Sequence, residues 1–200
     1  MGVLVGRAAP DFTCSAVLGN GEIVDDFNLT SAIKGKKAVV FFYPLDFTFV
    51  CPSELLAFDH RIDDFNKRGV EVIGVSIDSH FSHNAWRNTP INEGGIGPVK
   101  YTLAADMTHQ ICKAYDVESE GGMAYRGSFL IDEAGDVRHQ VVNDLPLGRN
   151  VDEMLRMVDA LAFHQEHGEV CPAGWKEGDK GMVDSPDGVA AYLSEHADKL

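Results

Sequence analysis

Apolar residues fall into two rhythms along this chain. Ala38, Val39, Val40, Phe41, Phe42 and Tyr43 form an unbroken apolar run, which predicts a buried strand. Leu55, Phe58, Ile62 and Phe65 then recur at three- and four-residue intervals, so Ser53 to Asn66 predicts a helix with one apolar face, stopped by Gly69. Val70 to Ile77 returns to a strand pattern through Val70, Val72, Ile73, Val75 and Ile77. Residues 38–77 therefore predict one βαβ unit with parallel strands, and Cys51 lies where the first strand gives way to the helix, at the C-terminal edge of the sheet.

Further along, Ser82 to Asn88 and Met107 to Tyr115 are shorter helical segments, separated by a Gly94-Gly95-Ile96-Gly97-Pro98 loop that predicts an irregular, bendable connection. Gly127 to Ile131 and Val137 to Val142 are β runs, and the five residues Asp132 to Asp136 between them suit an antiparallel hairpin. Asn150 and Glu153 have capping-box spacing ahead of a helix whose apolar face carries Val151, Met154, Leu155, Val158, Leu161 and Ala162. The order strand, helix, strand, helix, strand, strand, helix predicts an α/β chain with a thioredoxin-like fold, preceded by an N-terminal extension. Residues 1–167 form the expected main domain. Residues 168–200 are a C-terminal tail, loose and glycine-rich over Gly168 to Gly188 and ending in a short helix over Val189 to Ala197.

Composition narrows the function classes. At 44% hydrophobic and 24% charged residues the chain matches an ordinary globular protein. A net charge of −14, with no basic patch, argues against a nucleic-acid partner, because phosphate binding needs clustered Lys and Arg. No apolar run approaches the roughly 20 residues of a membrane span, and Met1 to Pro10 has no signal-peptide pattern, so the expected compartment is the cytoplasm.

The chemistry rests on sulfur. Cys14, Cys51, Cys112 and Cys171 are too widely spaced for a disulfide framework or a zinc pair, and in a reducing compartment they divide into apolar fillers and redox thiols. Cys51 is the reactive one by position: the unpaired N–H groups and positive dipole end of a helix start favour a thiolate. Its neighbours three residues away on either side are Thr48 and Glu54, so the C-x-x-C pair of a dithiol reductase is absent and any resolving thiol must come from elsewhere in the fold or from another chain. Thr48 offers a hydroxyl that can accept and donate beside the sulfur, and Pro44 can shield the pocket from water. Cys14 and Cys112 read as core fillers. Phe47, Phe49 and Trp86 read as core or interface aromatics, and the eight histidines show no H-E-x-x-H spacing.

Pro44, Thr48 and Cys51 make a P-x-x-x-T-x-x-C pattern, and with it the chain resembles the peroxiredoxin family. Four further segments support the likeness: Arg7 to Phe12, Gly94 to Gly97, Asn143 to Arg149, and Val170-Cys171-Pro172, with Arg126-Gly127 between them. The closest type is the typical two-cysteine peroxiredoxin of the bacterial alkyl hydroperoxide reductase C kind. The resemblance implies a thiol-dependent peroxidase that reduces hydrogen peroxide and organic hydroperoxides without metal, haem or other cofactor. It makes Cys51 the attacking thiol, Thr48 and Arg126 its polar partners, Pro44 the shield, and Cys171 of the partner subunit the resolving thiol. It also implies thioredoxin or a flavoprotein disulfide reductase as electron donor, a homodimer joined along the Val137 to Val142 edge, and a ring of five such dimers. A redox-switched chaperone or peroxide sensor is the alternative reading. Family members whose tails pack firmly over the site carry Gly-Gly-Leu-Gly and Tyr-Phe elements. This chain has Ile96 and Tyr192-Leu193 at those places, which implies a tail of intermediate hold and intermediate sensitivity to over-oxidation.

Overall fold

The computed structural model describes residues 2–200. The chain enters through a hairpin that periodicity did not announce, β1 (Thr13–Val17) and β2 (Ile23–Asn28), followed by a single turn, α1 (Leu29–Ala32). Asp25 and Asp26 interrupt the apolar alternation of β2, which lies at the sheet edge. The predicted βαβ unit follows as β3 (Lys37–Phe42), α2 (Cys51–His60), α3 (Ile62–Lys67) and β4 (Val70–Ser76), with β3 and β4 parallel from Lys37↔Val70 to Phe42↔Val75. One helix was expected between these strands, but the backbone leaves helical geometry at Arg61 (φ −106°, ψ 5°) and divides it in two. The apolar face survives the break, since Leu55, Phe58, Ile62 and Phe65 are all buried. Cys51 itself, rather than Ser53, begins α2.

The remaining elements are α4 (His80–Asn88), β5 (Thr102–Ala105), α5 (Gln110–Ala114), β6 (Arg126–Ile131), β7 (Val137–Asn143), α6 (Val151–His167) and α7 (Pro186–His196). Four buried residues after a Gly-Pro loop are too few to show a period, which is why β5 escaped the sequence reading. The strands form one sheet in the order β2-β1-β5-β4-β3-β6-β7. Its β5-β4-β3-β6-β7 portion is the thioredoxin-like core, parallel through β5, β4 and β3 and antiparallel through the β6–β7 hairpin. The β1–β2 hairpin extends that core beyond β5.

Alternation along β3 fills both faces of the sheet. Phe42 meets Tyr115 and Phe129 with ring centroids 5.0 and 5.8 Å away, in a cluster with Val40, Val75 and Cys112. On the opposite face Phe41 stacks on Phe58 of α2 at 4.1 Å and meets the edge of Tyr101. Gly74 of β4 makes that stack possible, because a Cβ there would stand 2.9 Å from the Phe41 ring. Phe41 thus fixes α2, and with it Cys51, against the sheet.

The Gly94–Pro98 loop is irregular as expected, yet it is tied down. Trp86, fully buried in α4, donates its indole N–H to the Gly94 carbonyl at 2.9 Å, and the Gly95 N–H bonds the Pro90 carbonyl at 3.0 Å. Ile96 is buried beside them.

By compactness the chain divides into Met1–Val151 and Asp152–Leu200, so nearly all of α6 groups with the tail. The 167/168 boundary drawn from the sequence marks instead where apolar periodicity ends. Within the second unit, the glycine-rich stretch is folded without regular elements. Val170 and Met182 exchange two backbone hydrogen bonds of 2.9 Å, and Trp175 is buried. The last helix starts three residues earlier than expected, at Pro186, where the Ser185 hydroxyl accepts from the Gly188 N–H at 3.0 Å.

A Cβ at position 95 would collide with the Thr89 carbonyl, a backbone atom that cannot move aside alone. We expect Gly95→Ala to cost about 1–3 kcal/mol in denaturant unfolding. A stability equal to that of the parent would show the loop to be free rather than tied.

Candidate active site

Cys51 occupies the first position of α2 and is 1% exposed. No side chain caps this helix, and Pro52 follows without an N–H, so the dipole end is left to the thiol and its neighbours. The group that reaches the sulfur comes from β6, which runs antiparallel to β3 and so begins beside the end of β3. Arg126, the first residue of β6, is buried, and its Nη1 donates to Cys51 Sγ at 3.5 Å. The same nitrogen donates to Glu54 Oε2 at 2.6 Å, while Arg126 Nε donates to the Leu145 carbonyl at 2.7 Å. This guanidinium therefore has little freedom to turn away.

Glu54 is the centre of the arrangement, and sequence reading passed over it. It lies one helical turn from Cys51 with its side chain 2% exposed. Its Oε1 accepts from the backbone N–H and Nε of Arg149 at 2.9 and 2.8 Å, and its Oε2 accepts from Arg149 Nη2 at 3.0 Å as well as from Arg126. Arg149, noted in the sequence only as the end of a motif, also donates to the Gly127 carbonyl and the Ser128 hydroxyl and lies over the Phe41 ring at 5.3 Å. One clue was present: a carboxylate in the first turn of a helix on the same side as Leu55 and Phe58 must be paired if it is buried.

The electrostatics follow from these contacts. Burial alone would raise the Glu54 carboxyl pKa, but hydrogen bonds and charge from Arg149, with Arg126 behind it, outweigh burial and hold it below the usual carboxylate range. Burial likewise works against the Arg126 charge, and its contacts with the Cys51 sulfur and Glu54 overcome that, holding it more firmly protonated than a free arginine. The sulfur thus faces a permanent cation in a dry setting.

The Thr48 loop approaches from the end of β3. Thr48 is half-buried and donates its hydroxyl proton to the Leu45 carbonyl at 2.7 Å, which leaves its oxygen to accept a further hydrogen bond. Pro44 is buried. The turn between them is held by a buried polar network. Tyr43 donates to Asp46 Oδ1 at 2.9 Å, His83 Nδ1 donates to Asp46 Oδ2 at 2.8 Å, and the Asp46 N–H donates to Asp78 Oδ2 at 2.9 Å. Burial, with the Asp46 charge second, pushes the Tyr43 phenol well above its ordinary range, so it remains a donor. Phe47 next to Thr48 adopts a left-handed φ of +53° and packs on Trp86, which proves to be a core residue, whereas Phe49 is 97% exposed.

The other cysteines lie in different surroundings. Cys112 is buried, and burial followed by the Asp106 charge raises its thiol pKa far out of the reactive range. Cys14 is half-buried, packed against the hydrophobic core and beside a cavity; burial pushes it up to about 11, with a backbone hydrogen bond from Ala105 opposing and Asp106 adding to the shift. Cys171 belongs to the second compact unit, where its Sγ contacts the Ala160 carbonyl at 3.4 Å. All four thiols are free.

Two outcomes follow. Glu54→Gln strands two buried guanidiniums, so a loss of roughly 3–5 kcal/mol is expected near pH 7. Because folding lowers the Glu54 pKa, its contribution is complete above the unfolded value of about 4.3 and fades as pH falls through the folded one, so the gap in thermal midpoint between parent and variant should narrow in acid. A gap that stays constant down to pH 3 would remove Glu54 from the network's charge balance. Second, peptide mass mapping after stoichiometric peroxide should find Cys14 and Cys112 unmodified; early oxidation of either would contradict the inert settings described above.

Comparison with known proteins identifies the family. The AhpC/TSA family matches residues 5–140, and the C-terminal domain of 1-Cys peroxiredoxin matches residues 160–195. An alkyl hydroperoxide reductase C of Helicobacter pylori is 57% identical over 99% of this chain and all of its own length, and peroxiredoxin-2 of Macaca fascicularis is 51% identical over 96% of each chain. Among solved structures, the reduced 2-Cys peroxiredoxin of Plasmodium vivax superposes with a TM-score of 0.93 at 47% identity, covering 96% of this chain and 99% of its own. With a thioredoxin-like core, a buried thiol at a helix start and full-length likeness of this degree, the chain belongs to the AhpC/TSA family of peroxiredoxins.

Proposed function

We propose that this thiol-dependent peroxidase reduces hydrogen peroxide and organic hydroperoxides through Cys51. The observation that carries the proposal is the Arg126 guanidinium 3.5 Å from a sulfur that is 1% exposed at a helix start. The thiolate attacks the terminal peroxide oxygen, the O–O bond breaks, and hydroxide or alkoxide departs and takes up a proton, leaving a sulfenic acid on Cys51. Arg126 places its positive charge where negative charge grows on the departing oxygens. The Thr48 oxygen, its own proton held by Leu45, accepts from the peroxide O–H and orients it, and buried Pro44 keeps water out.

The cycle closes when Cys171 of a second subunit condenses with the sulfenic acid to give a disulfide, which thioredoxin or a flavoprotein disulfide reductase then reduces. The relatives named for alkyl hydroperoxide reduction favour organic hydroperoxides among the substrates. The working form is a cytoplasmic homodimer paired along β7, whose Val141 and Val142 are partly exposed at the sheet edge, with dimers assembled into a ring of five.

Cys51→Ser should abolish peroxide consumption in a coupled assay with a dithiol reductant. Cys171→Ser should consume one equivalent per chain and stop. Sustained turnover in the first variant, or normal recycling by a dithiol protein in the second, would refute the corresponding role.

A further inference from the structure

Cys171 sits in a setting built by its own compact unit. Its sulfur lies against the Ala160 carbonyl of α6. One turn earlier, and therefore on the same helix face, stands Arg156. Its Nε and Nη2 form a two-pronged pair with Glu153 at 2.8 and 2.7 Å, and its Nη1 donates to the Trp175 carbonyl at 2.8 Å. Trp175 is itself fixed: it is 4% exposed, packs on Phe163 with centroids 4.8 Å apart, and donates its indole N–H to the Asp179 carbonyl at 3.1 Å. One guanidinium, aimed by a carboxylate, thus ties the loop that begins at Cys171 onto α6.

We infer that Arg156 is a positioning residue for the resolving step: it holds the Cys171–Trp175 loop on α6 and keeps a positive charge one helical turn from the Ala160 carbonyl on which the Cys171 sulfur rests. The inference rests on Cys171 being the resolving thiol. In that step the Cys171 thiol gives up its proton and the thiolate attacks the sulfur of the Cys51 sulfenic acid. The S–S bond forms, the S–O bond breaks, and the departing hydroxide takes up the proton as water; peroxide has already supplied the oxidising equivalent. Burial raises the Cys171 thiol pKa, which slows this chemistry, and the Arg156 charge opposes that rise. Besides Cys171, the titratable groups on α6 and on residues 168–179 are Asp152, Glu153, Arg156, Asp159, His164, Glu166 and His167 on the helix and Glu169, Lys176, Glu177 and Asp179 in the tail. Of these, Arg156 is the one whose charge acts on the sulfur, and its hydrogen bonds to Glu153 keep it protonated.

The test compares the full-length parent with Arg156→Met and Arg156→Lys, each reduced and then mixed with one equivalent of hydrogen peroxide. Acid quenching and mass spectrometry follow loss of the Cys51 thiol and appearance of the Cys51–Cys171 disulfide separately, across pH 6 to 9. Sulfenic acid formation should be equal in all three proteins. Disulfide formation in Arg156→Met should be slower by about three- to tenfold near pH 7, with its pH profile moved upward; Arg156→Lys, which keeps the charge but not the fork, should restore the profile's position. Parental rates and profile in Arg156→Met overturn the inference. Equal slowing in both variants with an unmoved profile overturns the role of the charge. A parent that forms no Cys51–Cys171 disulfide overturns the resolving role of Cys171 itself, an outcome distinct from the other two.

Discussion

The site depends on one buried carboxylate. Glu54 takes four hydrogen bonds from two arginines, three from their guanidiniums and one from the Arg149 backbone N–H, and those guanidiniums in turn hold the Leu145 and Gly127 carbonyls and the Ser128 hydroxyl. Three separate pieces of chain, the start of α2, the start of β6 and the loop before α6, are joined at that point. A buried charge pair adds little to stability when set against a well-packed apolar core, but removing one member is costly. Its use here is placement, because Glu54, together with the Leu145 carbonyl, holds Arg126 beside the Cys51 sulfur. Arg149 completes the neutralisation from behind and, lying over Phe41, ties the polar cluster to the apolar stack that seats α2 on the sheet.

The other wall of the site is held by a different network with the same logic. Between β3 and α2 the chain makes an irregular turn through Pro44 and Thr48, with Phe47 in a backbone conformation that side chains other than glycine seldom adopt. Such a turn keeps its shape only where the surroundings over-determine it. Asp46 supplies that by receiving Tyr43 and His83 while its own N–H is held by Asp78, and the Ser76 hydroxyl donates to the same Asp78 oxygen at 2.7 Å. Parallel β3 and β4 end side by side, so residues just beyond both strands reach this turn. The fold delivers Thr48 and Cys51 to one place because two buried acids, one on each side, do the fixing.

Sequence made visible what depends on period and on thiol position. β3, β4 and the hairpin of β6 and β7 were legible as apolar runs, and Cys51, Thr48 and Arg126 as parts of a spaced motif. Glu54 and Arg149 were not, because a charged residue in a helical pattern or a loop reads as a solvated position unless its partner is known, and these partners are some 95 residues apart along the chain. β1 and β2 were hidden by half-exposed, acid-interrupted alternation and β5 by brevity. The tail misled for a related reason: its glycines signal irregularity truly, but irregular backbone held by Trp175 and the Val170–Met182 pairing is not loose backbone.

The same carboxylate also sets the limit of the movement that the proposed cycle requires. A sulfur that is 1% exposed cannot meet a thiol of another chain unless the start of α2 leaves its place. Just ahead of that first turn the Val50 carbonyl receives the Ser53 hydroxyl at 2.6 Å and the N–H groups of Ser53 and Glu54 at 3.0 and 3.4 Å. Pro52 has no N–H to lose, and Phe49 is already in solvent. Residues 49–53 can therefore unwind at the expense of a few hydrogen bonds that water replaces, whereas unwinding past Glu54 would expose two guanidiniums' worth of buried pairing. In the proposed cycle the boundary falls between Ser53 and Glu54, so Arg126 would keep its place when the sulfur leaves, and the pocket would be ready for its return.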